Sequence, residues 1–204
     1  GRLEEDNESA PYQKGGFFYQ SRILKGQSYR TYYRRALESQ DWSPYFDANV
    51  ESKGASFFDL GFLDVDPTDT VLAYTVDTDG DEQFVLKFRN LLTGEELPQQ
   101  ITDVSPDGEW DRDGLFYYFL KEDETRRPYQ IYRYELGTDP DTSVLVYEET
   151  DTLFYAGIYK SQDGQFLFAS SESKFVEASS LAGSVRRDRV RKATESLNWP
   201  RSVN

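Results

Sequence analysis

Serine and carboxylate side chains are the residues of this chain whose chemistry could support hydrolysis, but the chain contains no histidine and no cysteine. A Ser-His-Asp triad needs an imidazole to take the proton of the serine. The G-x-S-x-G turn that exposes a nucleophilic serine does not occur in the sequence either. A serine–lysine arrangement at Ser171-Glu172-Ser173-Lys174 is discounted on its spacing. The sequence therefore predicts that this chain is not by itself an enzyme.

Carboxylates are abundant enough to suggest two other kinds of chemistry. Paired acids could work as general acid and base, as in glycosidases, but 37 acidic residues produce adjacent carboxylates by chance. The turn Asp77-Thr78-Asp79-Gly80-Asp81-Glu82 places oxygen ligands at alternate positions, as Ca²⁺ prefers. Its glycine precedes the third acid, unlike the EF-hand order, which favours a plain hairpin turn. We therefore predict no metal site and no cofactor.

Charge is distributed unevenly along the 204 residues. The net charge is −14, yet residues 184–204 sum to +4, so residues 1–183 carry −18. Such a negative surface disfavours nucleic acid as a partner of the main body. The basic segment could bind nucleic acid, an acidic protein surface or nothing at all. The predicted partner contacts in this segment are Arg186, Arg187, Arg189, Arg191, Lys192 and Trp199.

Targeting signals are not evident in the sequence. No apolar run approaches the roughly 18 residues that a membrane span needs, and no signal-peptide pattern opens the chain. We predict a soluble protein of an intracellular compartment, either the cytoplasm or an organelle matrix. Because Met is absent, we expect that the chain was processed or belongs to something longer.

Short alternating aromatic runs predict strands. Phe17–Arg22 and Tyr29–Arg35 indicate a hairpin, after a connector over residues 1–16 and before an irregular stretch over residues 36–56. Four strands then fall within about 45 residues, the size of one propeller blade. The plan repeats, because the turn pairs Asp69-Thr70, Asp113-Gly114 and Asp163-Gly164 lie 44 and 50 residues apart. A sandwich of regular hairpins is the rival fold.

Predicted strands cover the rest of the repeat, and their bounds are Phe58–Val65, Thr70–Val76, Gln83–Asn90, Glu96–Ile101, Glu109–Arg112, Leu115–Leu120, Tyr129–Leu136, Ser143–Tyr147, Leu153–Tyr159, Gln165–Ala169 and Lys174–Ala178. The fold class is therefore all-β, an incomplete β-propeller of about two to three four-stranded blades. The propeller occupies residues 17–183. A basic C-terminal tail, compatible with a helix, occupies residues 184–204.

Several long runs resemble the propeller of oligopeptidase B-type enzymes, members of the prolyl oligopeptidase family of serine peptidases. The runs are Gly1–Gly15, FFYQSR (17–22), YRTYYRR (29–35), Asp47-Ala48-Asn49, Phe58-Asp59-Leu60-Gly61, 72–97 and 126–149. The resemblance covers about residues 1–180 and stops near Ser184. It implies a seven-bladed propeller that gates an α/β-hydrolase domain, and in oligopeptidase B-type members cleavage of short peptides after Arg or Lys. No catalytic residue of the family maps onto this chain.

An arc of two to three blades cannot close, so its strand edges and blade faces need cover. We expect other protein chains to cover these edges, with Phe17–Arg22, Lys174–Ala178 and the basic tail as contacts. The favoured prediction is a non-catalytic remnant that serves as a structural or assembly subunit of a larger complex. The alternative is the N-terminal gating portion of an active serine oligopeptidase whose catalytic domain lies outside this chain.

Overall fold

A computed structural model describes residues 7–173 of the chain. The chain divides into two compact units, Gly1–Gln100 and Ile101–Asn204. The described part contains 15 strands, one four-residue helix and one 3-10 turn. All the strand pairs with a recorded register are antiparallel. The all-β, incomplete-propeller prediction is confirmed.

The first sheet holds five strands, where the sequence predicts only a hairpin. Its order is β1-β3-β4-β5, and β2 also pairs with β3. The strands are β1 (Asn7–Glu8), β2 (Tyr12–Lys14), β3 (Phe17–Ile23), β4 (Thr31–Ala36) and β5 (Ser43–Asp47), and helix α1 (Ala48–Glu51) follows.

Two sequence expectations fail in this sheet. The predicted connector, residues 1–16, contains β1 and β2, and the predicted irregular stretch, 36–56, contains β5 and α1. β1 and β2 are short and mostly exposed, so they have no buried alternating face to detect. β5 contains Pro44, which is tolerated because β5 is an edge strand of the sheet.

The second sheet is the first complete four-stranded blade, and the predicted repeat begins here. Its order is β6-β7-β8-β9, with β6 (Asp59–Val65), β7 (Val71–Asp77), β8 (Phe84–Asn90) and β9 (Glu96–Val104). One core joins this sheet to the first through Leu72, Tyr74 and Val76 of β7, which pack with Tyr19 and Phe46.

The second unit contains a four-stranded sheet and a hairpin. The third sheet has the order β10-β11-β12-β13, and β14 pairs with β15. The strands are β10 (Gly108–Trp110), β11 (Phe116–Glu122), β12 (Pro128–Glu135), β13 (Val144–Glu148), β14 (Phe154–Lys160) and β15 (Leu167–Ser173); the 3-10 turn is Pro140–Thr142. Tyr118, Leu120 and Ile131 of the sheet pack on Ala156 and Ile158 of the hairpin.

The predicted turn repeat is confirmed, and the structure shows what holds each turn. The Asp66 carboxylate accepts hydrogen bonds from the backbone N–H of Thr70 and Val71 at 2.7 and 2.6 Å. Asp111 accepts from Leu115 and Phe116 in the same way, and the Ser161 hydroxyl accepts from Phe166. A polar side chain at the end of the first strand of each pair thus orders the turn into the second. The remaining predicted strand, Lys174–Ala178, and the basic tail lie outside the described residues.

Candidate functional site

The contacts predicted from charge cannot be placed, because Arg186, Arg187, Arg189, Arg191, Lys192 and Trp199 lie outside the described residues. The predicted open edge at Phe17–Arg22 is wrong. This segment forms most of β3, which pairs with β4 on one side and with β1 and β2 on the other. Its backbone groups are therefore already occupied by the two short N-terminal strands that the sequence pattern does not reveal.

Ser171 is the serine whose spacing best fits a catalytic motif. Ser171 and Lys174 do match S-x-x-K, so the prediction that their spacing excludes them is wrong. The side chain argues against a nucleophile. Ser171 is buried, and its hydroxyl donates a short hydrogen bond to the Glu149 carboxylate, another buried group. A hydroxyl held in this way organises the core between the third sheet and the hairpin.

The Asp77 turn brings three carboxylates together. Oxygens of Asp77, Asp79 and Asp81 lie within 4.8 Å of one another. Asp77 is buried and accepts the backbone N–H of Asp79, Gly80 and Glu82 at 2.8–3.0 Å. Burial alone would raise the pKa of Asp77, but these hydrogen bonds lower it. The cluster thus has a sufficient structural explanation as the hairpin turn that the sequence favours.

A pocket of about 230 Å³ lies within the first unit, between the first sheet and β6. We call it the tyrosine pocket. Tyrosine side chains from four strands form much of its lining, and β6 supplies an apolar wall. The lining residues are Ser9, Tyr12, Tyr19, Gln20, Ser21, Tyr32, Tyr45, Leu60, Gly61, Phe62 and Leu63.

The four tyrosine rings contact one another in sequence around the tyrosine pocket. Tyr12 stacks on Tyr19 with ring centroids 5.6 Å apart. Tyr45 meets Tyr19 edge-on at 5.6 Å and Tyr32 at 6.4 Å. Such tilted arrangements match the quadrupoles of the rings. Tyr19 is buried, whereas Tyr12 is 56% exposed and closes the outer end of the row.

Two irregularities in strand pairing position this lining. The pairing of β4 with β5 shifts between Tyr32 and Tyr33, so that Tyr45 has no partner of its own. The pairing of β6 with β7 shifts in the same way at Gly61. A bulge re-aims side chains and opens the ladder locally. Both bulges border the tyrosine pocket and contribute to the shape of its lining.

The phenol groups of the tyrosine pocket stay protonated at physiological pH. Burial raises the pKa of Tyr45 well above 10, and the neighbouring Tyr12, Tyr19 and Tyr32 raise it further. Burial is also the main cause of the raised pKa of the other three. Each hydroxyl is therefore neutral, able both to donate and to accept a hydrogen bond.

In each unit, one arginine joins neighbouring elements; Arg127 is buried and Arg89 is partly buried. In the first, Arg89 on β8 donates to Glu51 of α1 and Glu96 of β9, at 2.8 Å each. In the second, Arg127, just before β12, donates to the Asp123 carboxylate and to the backbone carbonyls of Glu149, Asp151 and Phe154.

Both arginines perturb the carboxylates that they contact. Burial would raise the pKa of Glu96, but hydrogen bonds from Tyr74 and Arg89 lower it. Burial opposes the shift of Asp123 too, and hydrogen bonds from Thr125 and Arg127 hold its pKa far below the usual range. Perturbed carboxylates mark functional sites in some proteins. Here each one is explained by the arginine network that joins neighbouring elements.

Within residues 7–173, no helix is long and apolar enough to cross a membrane. The repeated four-stranded antiparallel sheets and their equivalent turns define the class, a β-propeller represented by part of its ring. The family model for the prolyl oligopeptidase N-terminal β-propeller domain matches residues 1–195. The chain therefore belongs to the prolyl oligopeptidase family, whose parent enzymes are serine peptidases. The match also extends beyond Ser184, where the sequence resemblance appeared to stop.

Individual relatives agree with this assignment. Dipeptidyl aminopeptidase BI of Pseudoxanthomonas mexicana is 32% identical over 189 residues, which cover 84% of this chain and 26% of that protein. Protease 2 of Moraxella lacunata is 32% identical over 181 residues, or 85% and 26%. Oligopeptidase B from Leishmania major superposes with a TM-score of 0.79 at 26% identity, over 83% of this chain and 24% of that one. The chain thus spans about a quarter of the length of the relatives that it matches.

Proposed function

We propose that this chain is the N-terminal propeller portion of a serine oligopeptidase, and that it controls which peptides reach a catalytic domain outside these 204 residues. Support comes first from the match to the propeller-domain model over residues 1–195. Two relatives that are 32% identical carry aminopeptidase and protease names and align along most of this chain. The substrates would be short peptides cleaved after Arg or Lys, as the oligopeptidase B resemblance implies.

We prefer the propeller portion of a peptidase to a non-catalytic assembly subunit because of the C-terminal segment. The sequence favoured the subunit partly because residues from Ser184 onward seemed unrelated to the family. The propeller-domain match runs to residue 195, which removes part of that reason. The networks around Arg89 and Arg127 also join neighbouring elements within each unit, which suits a rigid gate. The assembly subunit stays a prediction, and the following experiment separates the two.

The test uses the native species that contains the full chain, purified gently and examined by native mass spectrometry. The same material is incubated with a short fluorogenic peptide that has Arg before the scissile bond, and with a matched peptide that has Glu there. We expect cleavage of the Arg peptide only, and loss of activity after treatment with a serine-directed inhibitor. A hydrolase-domain polypeptide, continuous with this chain or bound to it, should be present.

The same purified species also allows a separate test of the gating role. A long reduced polypeptide with many Arg and Lys residues should be cleaved far more slowly than the short peptide, because a propeller gate excludes extended chains. Equal cleavage of both would reject the gating role. A species with unrelated subunits, no hydrolase domain and no cleavage of the Arg peptide would replace the proposal with the assembly-subunit prediction.

A further inference from the structure

We propose that the tyrosine pocket binds an organic cation with N–H donors, the alkyl guanidinium or ammonium group carried by a basic side chain. The faces of tyrosine rings attract cations through the ring quadrupole. The pocket offers four such rings within one small space. The proposal names a point at which the propeller would hold a peptide, and it rests on the proposed function only for the peptide origin of that cation.

Aromatic rings elsewhere in the first sheet already hold a cation. The guanidinium of Arg22 lies 4.6 Å from the ring centroid of Tyr33. Those of Arg34 and Arg35 lie 4.5 and 4.4 Å from the centroids of Phe17 and Phe18.

The rings of the tyrosine pocket differ in this respect. Among residues 7–173, no Lys or Arg is stacked on Tyr12, Tyr19, Tyr32 or Tyr45. Arginine side chains thus lie over several rings of the first sheet. No Lys or Arg among the described residues lies over the rings of the tyrosine pocket.

Hydrogen-bond acceptors in the pocket complement the rings. The Tyr19 hydroxyl is engaged with Asp69. Within the described part of the chain, the hydroxyls of Tyr12, Tyr32 and Tyr45 have no recorded hydrogen-bond partner. Gln20 does not compete for a ligand, because its amide already bonds Glu8, the Ser9 carbonyl and Arg22. Three phenol oxygens are therefore available to the N–H groups of a guanidinium or ammonium.

The net charge of the protein favours a cation, whereas the charges of Lys14, Arg30 and Arg34 act on the phenols of the pocket. The protein carries a net charge of −14, which raises the local concentration of cations. Lys14 is paired with Asp64. Arg34 donates to the backbone carbonyl of Asp69, and its charge acts on the phenols of Tyr19 and Tyr45, where the Asp69 carboxylate opposes it at Tyr19. Arg30 donates to the neutral Ser21 hydroxyl, and its charge acts on the Tyr32 phenol. The charge of Arg30 therefore opposes binding of a cation, so removal of this charge should tighten binding.

The size of the pocket limits what can enter. Sites for whole small molecules occupy roughly 300–1,000 Å³, and the tyrosine pocket measures about 230 Å³. One long side chain with its charged head fits this space better than a complete drug-sized ligand does.

Binding is measured by calorimetric and NMR titration of the full chain in its native species with three probes. The first is capped arginine methylamide, the second is its neutral isostere, capped citrulline methylamide, and the third is agmatine, a free alkyl guanidinium. We expect the arginine probe to bind at least 10-fold more tightly than the citrulline probe. Agmatine binding as tightly as capped arginine identifies the guanidinium alone as the ligand, and tighter capped arginine points to a peptide source.

Variants locate the binding and test its chemistry. Tyr12→Leu, at the exposed end of the row, should weaken arginine binding about 5- to 10-fold by removing a ring, and Tyr12→Phe should weaken it less than about 3-fold. Tyr33→Leu is the matched control on the same sheet, because Tyr33 is not in the pocket lining, and it should leave binding unchanged. Arg30→Gln should tighten binding about 2- to 3-fold.

Three results would overturn the proposal. They are equal affinity for the arginine and citrulline probes, no saturable binding at millimolar concentrations, or weaker binding in Arg30→Gln, which would indicate an anion. None of these measurements requires hydrolysis. Saturable arginine binding by a species without peptidase activity would therefore contradict only the proposed function.

Discussion

The interface between the first and second sheets is rich in aromatic rings, whereas the interface between the third sheet and the β14–β15 hairpin uses mostly aliphatic groups. Half of the buried core residues at the first are aromatic, among them Tyr19, Phe46 and Tyr74, and Ala156, Ile158 and Ala169 contribute to the second. Rigid rings fill irregular space poorly, and the chain has no Met to fill the gaps. The aromatic interface accordingly retains a pocket beside the two bulges, which shows how side-chain choice and strand irregularity together can leave space at an interface.

The arginines at the two interfaces, Arg89 and Arg127, also differ in burial and in their partners. Arg89 meets carboxylates that keep contact with water, since the Glu96 side chain is 36% exposed. Arg127, with a side chain only 7% exposed, donates to three backbone carbonyls as well as to Asp123. Water can therefore replace the hydrogen-bond partners of Arg89 more easily than those of Arg127.

The largest expected effect is on Arg127. Arg127→Met leaves Asp123 without its partner and three carbonyls without a donor, and should lower the free energy of unfolding by about 3–5 kcal/mol. Urea denaturation of the full chain measures this. Arg112→Met, at an exposed arginine of the same unit, should change the value by less than about 0.5 kcal/mol. Equal effects of the two substitutions would show that burial of Arg127 contributes nothing.

Arg89→Met should have a smaller effect, about 2–3 kcal/mol in the same assay, because hydrogen bonds to charged groups are lost while water can reach Glu96. If its effect equals or exceeds that of Arg127→Met, the contrast between the two networks is wrong.

The two interfaces should also differ in how well they accept a larger side chain. Ala169→Leu adds volume to the closed interface and should destabilise it by about 1–3 kcal/mol. Leu60→Phe adds volume at the tyrosine pocket and should change the free energy of unfolding by about 1 kcal/mol or less, since space is present. Thermal and urea unfolding measure both. A greater loss from Leu60→Phe would show that the pocket cannot accept a larger group.

The smallest effect concerns alkaline pH. The folded pKa of Tyr45 is raised, so its contribution to stability is complete below about pH 10, the unfolded value, and declines as pH rises further. Tyr45→Phe removes this titration and should make the free energy of unfolding fall less steeply above pH 10, by up to about 1.4 kcal/mol per pH unit. Measurements at neutral pH serve as the internal control. An unchanged alkaline slope would contradict the assigned shift.

The sequence predicts the repeated sheets well because their turns depend on local chemistry. Asp69, Asp113 and Asp163 mark three equivalent turns, and alternating apolar residues mark the strands between them. β1 and β2 are missed because their stability comes from pairing with β3 and not from their own composition. β5 is missed because Pro44 argues against a strand unless the strand is known to lie at an edge.

The tyrosine pocket could not be predicted from the sequence in the same way. Its rings come from four strands between Tyr12 and Tyr45, and nothing in their spacing distinguishes them from core residues such as Tyr74. The bulges at Tyr45 and Gly61 depend on the pairing of whole strands. The excess of tyrosine, 15 residues, was the available signal, but it does not say which rings converge.

The order of strands has a consequence for how this chain is made. Apart from β1, every strand in residues 7–173 pairs with one that directly precedes or follows it in the chain. A ribosome that adds roughly 5–20 residues per second needs on the order of 2–9 seconds to release a segment the length of the second sheet. Hairpins form in about 1–10 microseconds. Once the first strands of a sheet have emerged, each later strand emerges beside a partner that is already present, and the sheets can form one after another during translation.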